Sequence, residues 1–186
     1  MRKPVMHSIW LVLVLSVPSS SVSAGTLGDL TYEIADGQVA ITDCETTARG
    51  DLEIPAEIEG LPVTSIGAGA FGHCNSITSI TIPESVTNIG GAAFTGCSAL
   101  TRIEVAAGNV NYTEVNGVLF NTEMTLLHSY PAGKPVTNYI IPNSVTSIGD
   151  RAFGRCTGLT GITIPDSVTR IGERAFEGCK GLTSIT

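Results

Sequence analysis

Ile141-Pro-Asn-Ser-Val-Thr-Ser-Ile-Gly-Asp-Arg-Ala-Phe-Gly-Arg-Cys156 recurs almost position for position as Ile164-Pro-Asp-Ser-Val-Thr-Arg-Ile-Gly-Glu-Arg-Ala-Phe-Glu-Gly-Cys179. The offset is 23 residues. A fixed period of this size decides the architecture before any local reading does. A third copy runs from Ile82-Pro83 to Cys97, and a fourth from Ile54-Pro55 to Cys74 with five extra residues between Ile54 and Val63. Each unit reads Leu-x-x-Ile-x-Ile-Pro-x-Ser-Val-x-x-Ile-Gly-x-x-Ala-Phe-x-x-Cys, as in Leu159, Ile162, Ile164, Val168, Ile171, Phe176 and Cys179. The alternation of Ile162 and Ile164 has the period of a strand, and Pro165 ends it by removing an amide donor. Ile-Gly then turns the chain, and Asp150 or Glu173 opens a single helical turn carrying Ala-Phe.

One such unit cannot bury its own strand and its phenylalanine, so the units must stack and share a continuous interior, with parallel strands about 4.8 Å apart. The predicted fold is a β-rich α/β class: a right-handed solenoid with one strand per rung, a parallel sheet and short helical turns. Equivalent residues then form ladders, Phe71, Phe94, Phe153 and Phe176 in one and Cys74, Cys97, Cys156 and Cys179 in another. One stretch leaves the beat, because Phe94 and Phe153 are 59 residues apart, 13 more than two periods. Within it, Val115-Asn-Gly-Val-Leu-Phe120 and Thr125-Leu-Leu-His-Ser-Tyr130 flank the turn residues 121–124, which reads as an inserted β-hairpin.

These units resemble the BspA-type leucine-rich repeats of bacterial surface antigens, which also occur in some protozoan surface proteins, with the signature I-P-x-S-V-T-x-I-G-x-x-A-F-x-x-C. The resemblance spans residues 29–186. The lead-in Leu30-Thr-Tyr-Glu-Ile34 to Ala40-Ile-Thr42 is similar to the family's N-terminal cap, and Ile58 to Gly67 to its first rung. The Gly-Val-Leu-Phe segment ending in Tyr-Pro-x-Gly-Lys is similar to the hairpin that often interrupts the family's regular rungs. The resemblance implies a fold and an exposed recognition surface, while ligands differ among members.

Arg2 and Lys3, the apolar run Ile9 to Leu15, and Val22-Ser23-Ala24 read as a signal peptide cut after Ala24; the apolar run is about half the ~20 residues that span a bilayer. Residues 1–24 are then the signal peptide, 25–53 a cap and 54–186 the solenoid, with its irregular segment at 106–140. The expected location is secreted or cell-surface, with no transmembrane span after cleavage. Thr186 aligns with Thr163 in mid-strand, so the chain is expected to be truncated at its C-terminus. The intact sequence has net charge −7; the mature chain keeps eight basic residues against seventeen acidic ones, a charge of −9, which argues against a nucleic-acid partner.

Catalytic and cofactor chemistry finds no constellation. Gly67-Ala-Gly-Ala-Phe-Gly72 matches a dinucleotide fingerprint, but only its first glycine recurs at Gly90, Gly149 and Gly172, so it belongs to the repeat. The mature histidines are His73 and His128, with no nucleophile elbow or metal motif beside them. No enzyme activity, cofactor or metal is therefore expected. The repeat cysteines have no C-x-x-C spacing; they are either disulfides, Cys74 with Cys97 and Cys156 with Cys179, or a ladder of buried thiols, and Cys44 has no evident partner.

Ligand contacts are expected at Arg102, Glu104, Tyr112, His128, Tyr130 and Asn138. The polar positions of the strands, including Ser79, Thr81, Thr163 and Ser184, make a small, sparsely charged face, and tyrosine is a frequent interface anchor although it also packs hairpins. The expected role is a non-catalytic exported adhesion module binding a protein or glycan. The other reading is a structural envelope or spacer module of a longer surface protein.

Overall fold

A computed structural model describes residues 22–186; the body of the expected signal peptide lies outside the described residues. Its last two positions, Ser23 and Ala24, begin β1 (Ser23–Leu27), which pairs antiparallel with β2 (Leu30–Ala35). β2 pairs antiparallel with β3 (Gln38–Cys44), so the chain enters the solenoid through a three-stranded meander. The rungs then supply β4 (Arg49–Glu53), β5 (Glu57–Ile58), β6 (Leu61–Ile66), β7 (Ser76–Ile82), β8 (Asn88–Ile89) and β9 (Arg102–Val105). The irregular segment supplies β10 (Tyr112–Val115), β11 (Val118–Asn121) and β12 (Leu126–Ser129). The last rungs give β13 (Asn138–Ile140), β14 (Ser147–Ile148), β15 (Gly161–Thr163), β16 (Arg170–Ile171) and β17 (Ser184–Ile185).

Stacking follows the 23-residue register, pairing Ile80 with Ile103, Tyr139 with Ile162 and Ile148 with Ile171. Each regular rung contributes two strands rather than the single one expected. One set of parallel ladders is β4-β7-β9 and β13-β15-β17; the other is β3-β6-β8 and β12-β14-β16. The second set was hidden because a strand of two residues with one inward isoleucine is too short to show a period. Its glycine serves close approach rather than turning: a Cβ on Gly90 would stand 2.4 Å from the Ala68 nitrogen. The bare Cα lets the Gly90 N–H donate to the Ile66 carbonyl at 2.8 Å.

The expected helical turn is absent, since no α-helix occurs among the described residues. Along Gly149 to Cys156 the amides alternate in destination. Those of Ala152, Gly154 and Cys156 close three-residue turns onto Gly149, Arg151 and Phe153, whereas those of Arg151, Phe153 and Arg155 cross to the carbonyls of Glu173, Ala175 and Glu177 in the next rung. A helix would send its amides only to carbonyls four residues back in the same segment. Half of them are instead spent holding rungs together, and the cost is left-handed backbone at Arg151 (φ 50°) and Arg155 (φ 60°).

Side chains reinforce the stack. Threonine hydroxyls donate to the carbonyl of the threonine one rung back, from Thr87 to Thr64, Thr101 to Thr78, and Thr183 to Thr160 to Thr137. Inside, Phe71 and Phe94 stack at 5.5 Å, and Tyr130, Phe153 and Phe176 form a second stack at 5.2 and 5.1 Å. Tyr130 thus occupies the phenylalanine position of the irregular rung. The core divides into two clusters, one from Leu30 to Leu119 and the other from Val118 to Ala175. β11 is the wall between them: Leu119 packs into the first, Val118 and Phe120 into the second, and all three are fully buried.

The irregular segment differs from the simple hairpin expected. Val115 to Phe120 is not one strand, because Asn116 (φ 53°) and Gly117 (φ 78°) form a two-residue turn that pairs Val115 with Val118. β10, β11 and β12 are therefore a three-stranded antiparallel meander. The Asn-Gly pair is itself the strongest short hairpin signal, so the turn was legible. The five extra residues of the first rung fold the same way, with Glu59 (φ 55°) and Gly60 (φ 75°) joining β5 to β6.

Candidate functional site

Two surface regions carry polar groups held in fixed geometry. The first lies on β4, β7 and β9. Asp51 accepts from the Thr78 hydroxyl at 2.9 Å and the Ser79 hydroxyl at 2.5 Å, and Arg102 reaches its other oxygen at 3.7 Å. The Arg102 Nε–H donates to Glu104 at 2.6 Å, and the Thr81 hydroxyl reaches the other Glu104 oxygen at 3.5 Å. Strand register sets Asp51, Ser79 and Arg102 in one row and Thr81 beside Glu104, while Thr78 falls at the register shift between Gly50 and Asp51. Hydrogen bonds from Ser79 and then Thr78, with Arg102 contributing, hold the Asp51 carboxyl below its ordinary value. Asp51, Arg102 and Glu104 are exposed, whereas Ser79, expected at the surface, is buried beneath the network.

The second region is the junction between the regular rungs and the irregular segment. β8 has β6 on one side but no regular rung on the other. Side chains take the place of the missing backbone there. The Ile89 N–H donates to the Tyr112 hydroxyl at 2.8 Å, and the Ile89 carbonyl accepts from His128 Nε2 at 3.0 Å. Asn109 donates to the carbonyls of Pro83 at 2.9 Å and Val86 at 3.0 Å, while its Oδ1 accepts from the amides of Asn111 and Tyr112. Because a carbonyl only accepts, Nε2 carries the proton and Nδ1 holds the lone pair. Nδ1 is buried without a hydrogen-bond partner among the described residues. Burial, opposed by the bond to Ile89, lowers the imidazole pKa.

A notch opens beside this histidine. Leu127 pairs with Ile148 and Tyr130 stacks on Phe153, yet three steps of chain join the first two residues of these pairs where five join the second. The irregular rung thus lacks two residues of the Gly-x-x-Ala turn. The gap, about 290 Å³, is lined by Gly91 on one side, Gly149, Asp150, Arg170 and Gly172 on the other, and His128.

The expected contact residues do not converge. Arg102 and Glu104 share β9; Asn138 is exposed on β13, in a separate sheet; Tyr112 and His128 meet edge to face at 5.9 Å in the junction. Tyr130 is 4% exposed, packed between Tyr139 and Phe153, so it is a core residue rather than a contact. Sequence reading missed Asp51, and Asn109, whose four hydrogen bonds leave no mark in a one-dimensional pattern. Among the described residues no group of three or more His, Cys, Asp or Glu stands together as a metal site.

Comparisons with known proteins agree with this architecture. A family model described as BspA type leucine-rich repeat region matches residues 51–128 and 129–186, in six copies. No match was found among curated proteins. Among solved structures, a leucine-rich repeat protein from Eubacterium ventriosum aligns with TM-score 0.50 and 19% identity over 90% of this chain and 72% of its own. A T. pallidum leucine-rich repeat protein aligns with TM-score 0.50 and 26% identity over 88% of this chain and 71% of its own. With the family model matching well over half its length, the chain belongs to the BspA-type leucine-rich repeat family.

Proposed function

We propose that this chain is an exported, non-catalytic recognition module of a cell-surface or secreted protein, contacting a protein or glycan through the exposed face of β4, β7 and β9. The observation that carries the reading is the network of Asp51, Arg102 and Glu104, which is exposed yet held by Thr78 and Ser79 on a rigid ladder. Polar groups fixed before binding lose little freedom on contact, which favours specific recognition by a surface of mixed charge. Membership of a family with surface antigens among its members, and the export signal read at residues 1–24, support the location.

The test is an array of matrix and cell-surface proteins and glycans probed with residues 25–186. A ligand retained by the native chain and weakened about tenfold or more by Arg102→Ala with Glu104→Ala upholds the reading. Equal retention by the double variant rejects this face. A chain that binds nothing on the array supports the spacer role instead.

A further inference from the structure

Five cysteines leave an odd number, and ladder symmetry alone would join Cys74 to Cys97, one rung apart. The side chains arrange themselves differently. The Cys97 thiol turns back to the Phe71 carbonyl at 2.8 Å, a short contact to an acceptor that also takes the Cys74 amide. Cys74 turns toward the cap, its sulfur 3.5 Å from the Cys44 carbonyl and 3.7 Å from that of Glu45. Cys44, at the end of β3, points its own sulfur at the same Glu45 carbonyl, also at 3.7 Å. Two thiols thus share one acceptor at long range. Both are buried, in the same core cluster.

We propose that Cys44 and Cys74 are oxidation partners, forming a disulfide that pins the N-terminal meander to the first rung and leaves Cys97 a thiol. The three weak S–H contacts given up are long, while the short Cys97 contact is kept. The location matters mechanically, because β3 meets the repeats through its pairing with β6. The oxidant is a low-molecular-weight disulfide of an oxidising compartment, so the physiological relevance rests on the export reading. One cysteine thiolate attacks that disulfide and expels one thiolate; the second attacks the mixed disulfide and expels the other. The two protein thiols lose two protons and two electrons, and the reagent becomes two thiols. Burial and nearby Asp29 disfavour both thiolates in the folded chain, and Asp43 and Glu45 add to this at Cys74, so the exchange belongs to folding, before the core closes.

Reduced, unfolded chain is refolded in a glutathione redox buffer, its remaining thiols are alkylated, and it is cut with a glutamyl-specific protease. Cleavage at Glu45, Glu53, Glu57, Glu59 and Glu84 separates Cys44, Cys74 and Cys97 into different peptides. The expected mass map contains a Cys44–Cys74 linked pair and alkylated Cys97, unchanged for the other two in Cys97→Ser. A Cys74–Cys97 linkage, or alkylated Cys44 and Cys74 in the folded product, overturns the proposal. Because the buffer supplies the oxidant, the result is independent of whether the chain is exported.

Discussion

The regular rungs and the irregular segment solve the same problem by different means. In the regular rungs a strand is met by its equivalent 23 residues later, as β7 is by β9 and β14 by β16, so backbone satisfies backbone and one rule covers the copies. At residues 106–137 the beat fails, and β8 would present bare amides and carbonyls to a mismatched neighbour. Four backbone groups there, at Pro83, Val86 and Ile89, are instead satisfied by the side chains of Asn109, Tyr112 and His128. A repeat tolerates substitution wherever backbone does the joining. A splice made of three side chains does not.

The comparison breaks most severely in the core of the regular part. Phe153 is fully buried between Tyr130 and Phe176, and Phe153→Ala removes the middle of that stack at a cost of about 3–5 kcal/mol, read as a fall in the urea midpoint. If β11 truly divides two cores, hydrogen exchange in this variant accelerates in residues 118–182 and changes little in residues 30–100. Uniform acceleration would show one cooperative unit instead.

Asn109→Ala tests the splice itself. It takes a hydrogen bond from two carbonyls and two amides, of which the Pro83 carbonyl keeps the Val86 amide, and although the side chain is only half-buried about 2 kcal/mol of stability should be lost. A replacement of an exposed loop asparagine such as Asn143→Ala should change the midpoint hardly at all. Similar small effects for both would mean that the junction is held by packing alone.

His128 gives the splice a pH dependence below neutrality. Its folded pKa lies below the ordinary 6.5 because burial disfavours the charged ring, so on acidification the unfolded chain takes up the proton first. Stability contributed by the neutral ring is complete above about pH 6.5 and is lost as pH falls below it, at no more than about 1.4 kcal/mol per pH unit for one proton. The groups around it are Tyr112, edge-on to the ring, and Asp150 and Arg170 across the notch. His128→Gln, which keeps a donor for the Ile89 carbonyl but does not titrate, should flatten denaturation midpoints between about pH 7 and pH 5. A wild-type profile identical to the variant's would remove His128 as the cause.

The smallest expected effect is a gain. Ala92 holds left-handed backbone (φ 60°) at a position that Gly69 fills one rung earlier (φ 70°). Ala92→Gly relieves a strain of about 1 kcal/mol but gives back chain entropy on unfolding, leaving a net stabilisation of a few tenths of a kcal/mol and a melting temperature higher by about a degree. A clear fall would show that the turn has another reason for alanine.

Much of the molecule could be read before it was seen. The period located the ladders of Phe71, Phe94, Phe153 and Phe176, and a repeated side chain must find its copy when identical rungs stack. Tyr130 was legible as a packing residue, being 23 positions before Phe153, although it was also kept as a contact. Asp51 was not legible. Its partners Thr78, Ser79 and Arg102 lie 27 to 51 residues away, and no motif along the chain joins them to it.

What the residues by themselves determined is the stack: a 23-residue unit with one apolar side can hide that side only against its own copies, so register and interior follow from arithmetic. What tertiary structure alone decided is every place where unlike segments meet. There Asn109, Tyr112 and His128 close the edge of β8, two residues fewer open a notch, and Cys74 faces Cys44 rather than its own copy. Periodicity constrains only contacts between equivalents; a contact between non-equivalents depends on distances that no pattern along the chain encodes.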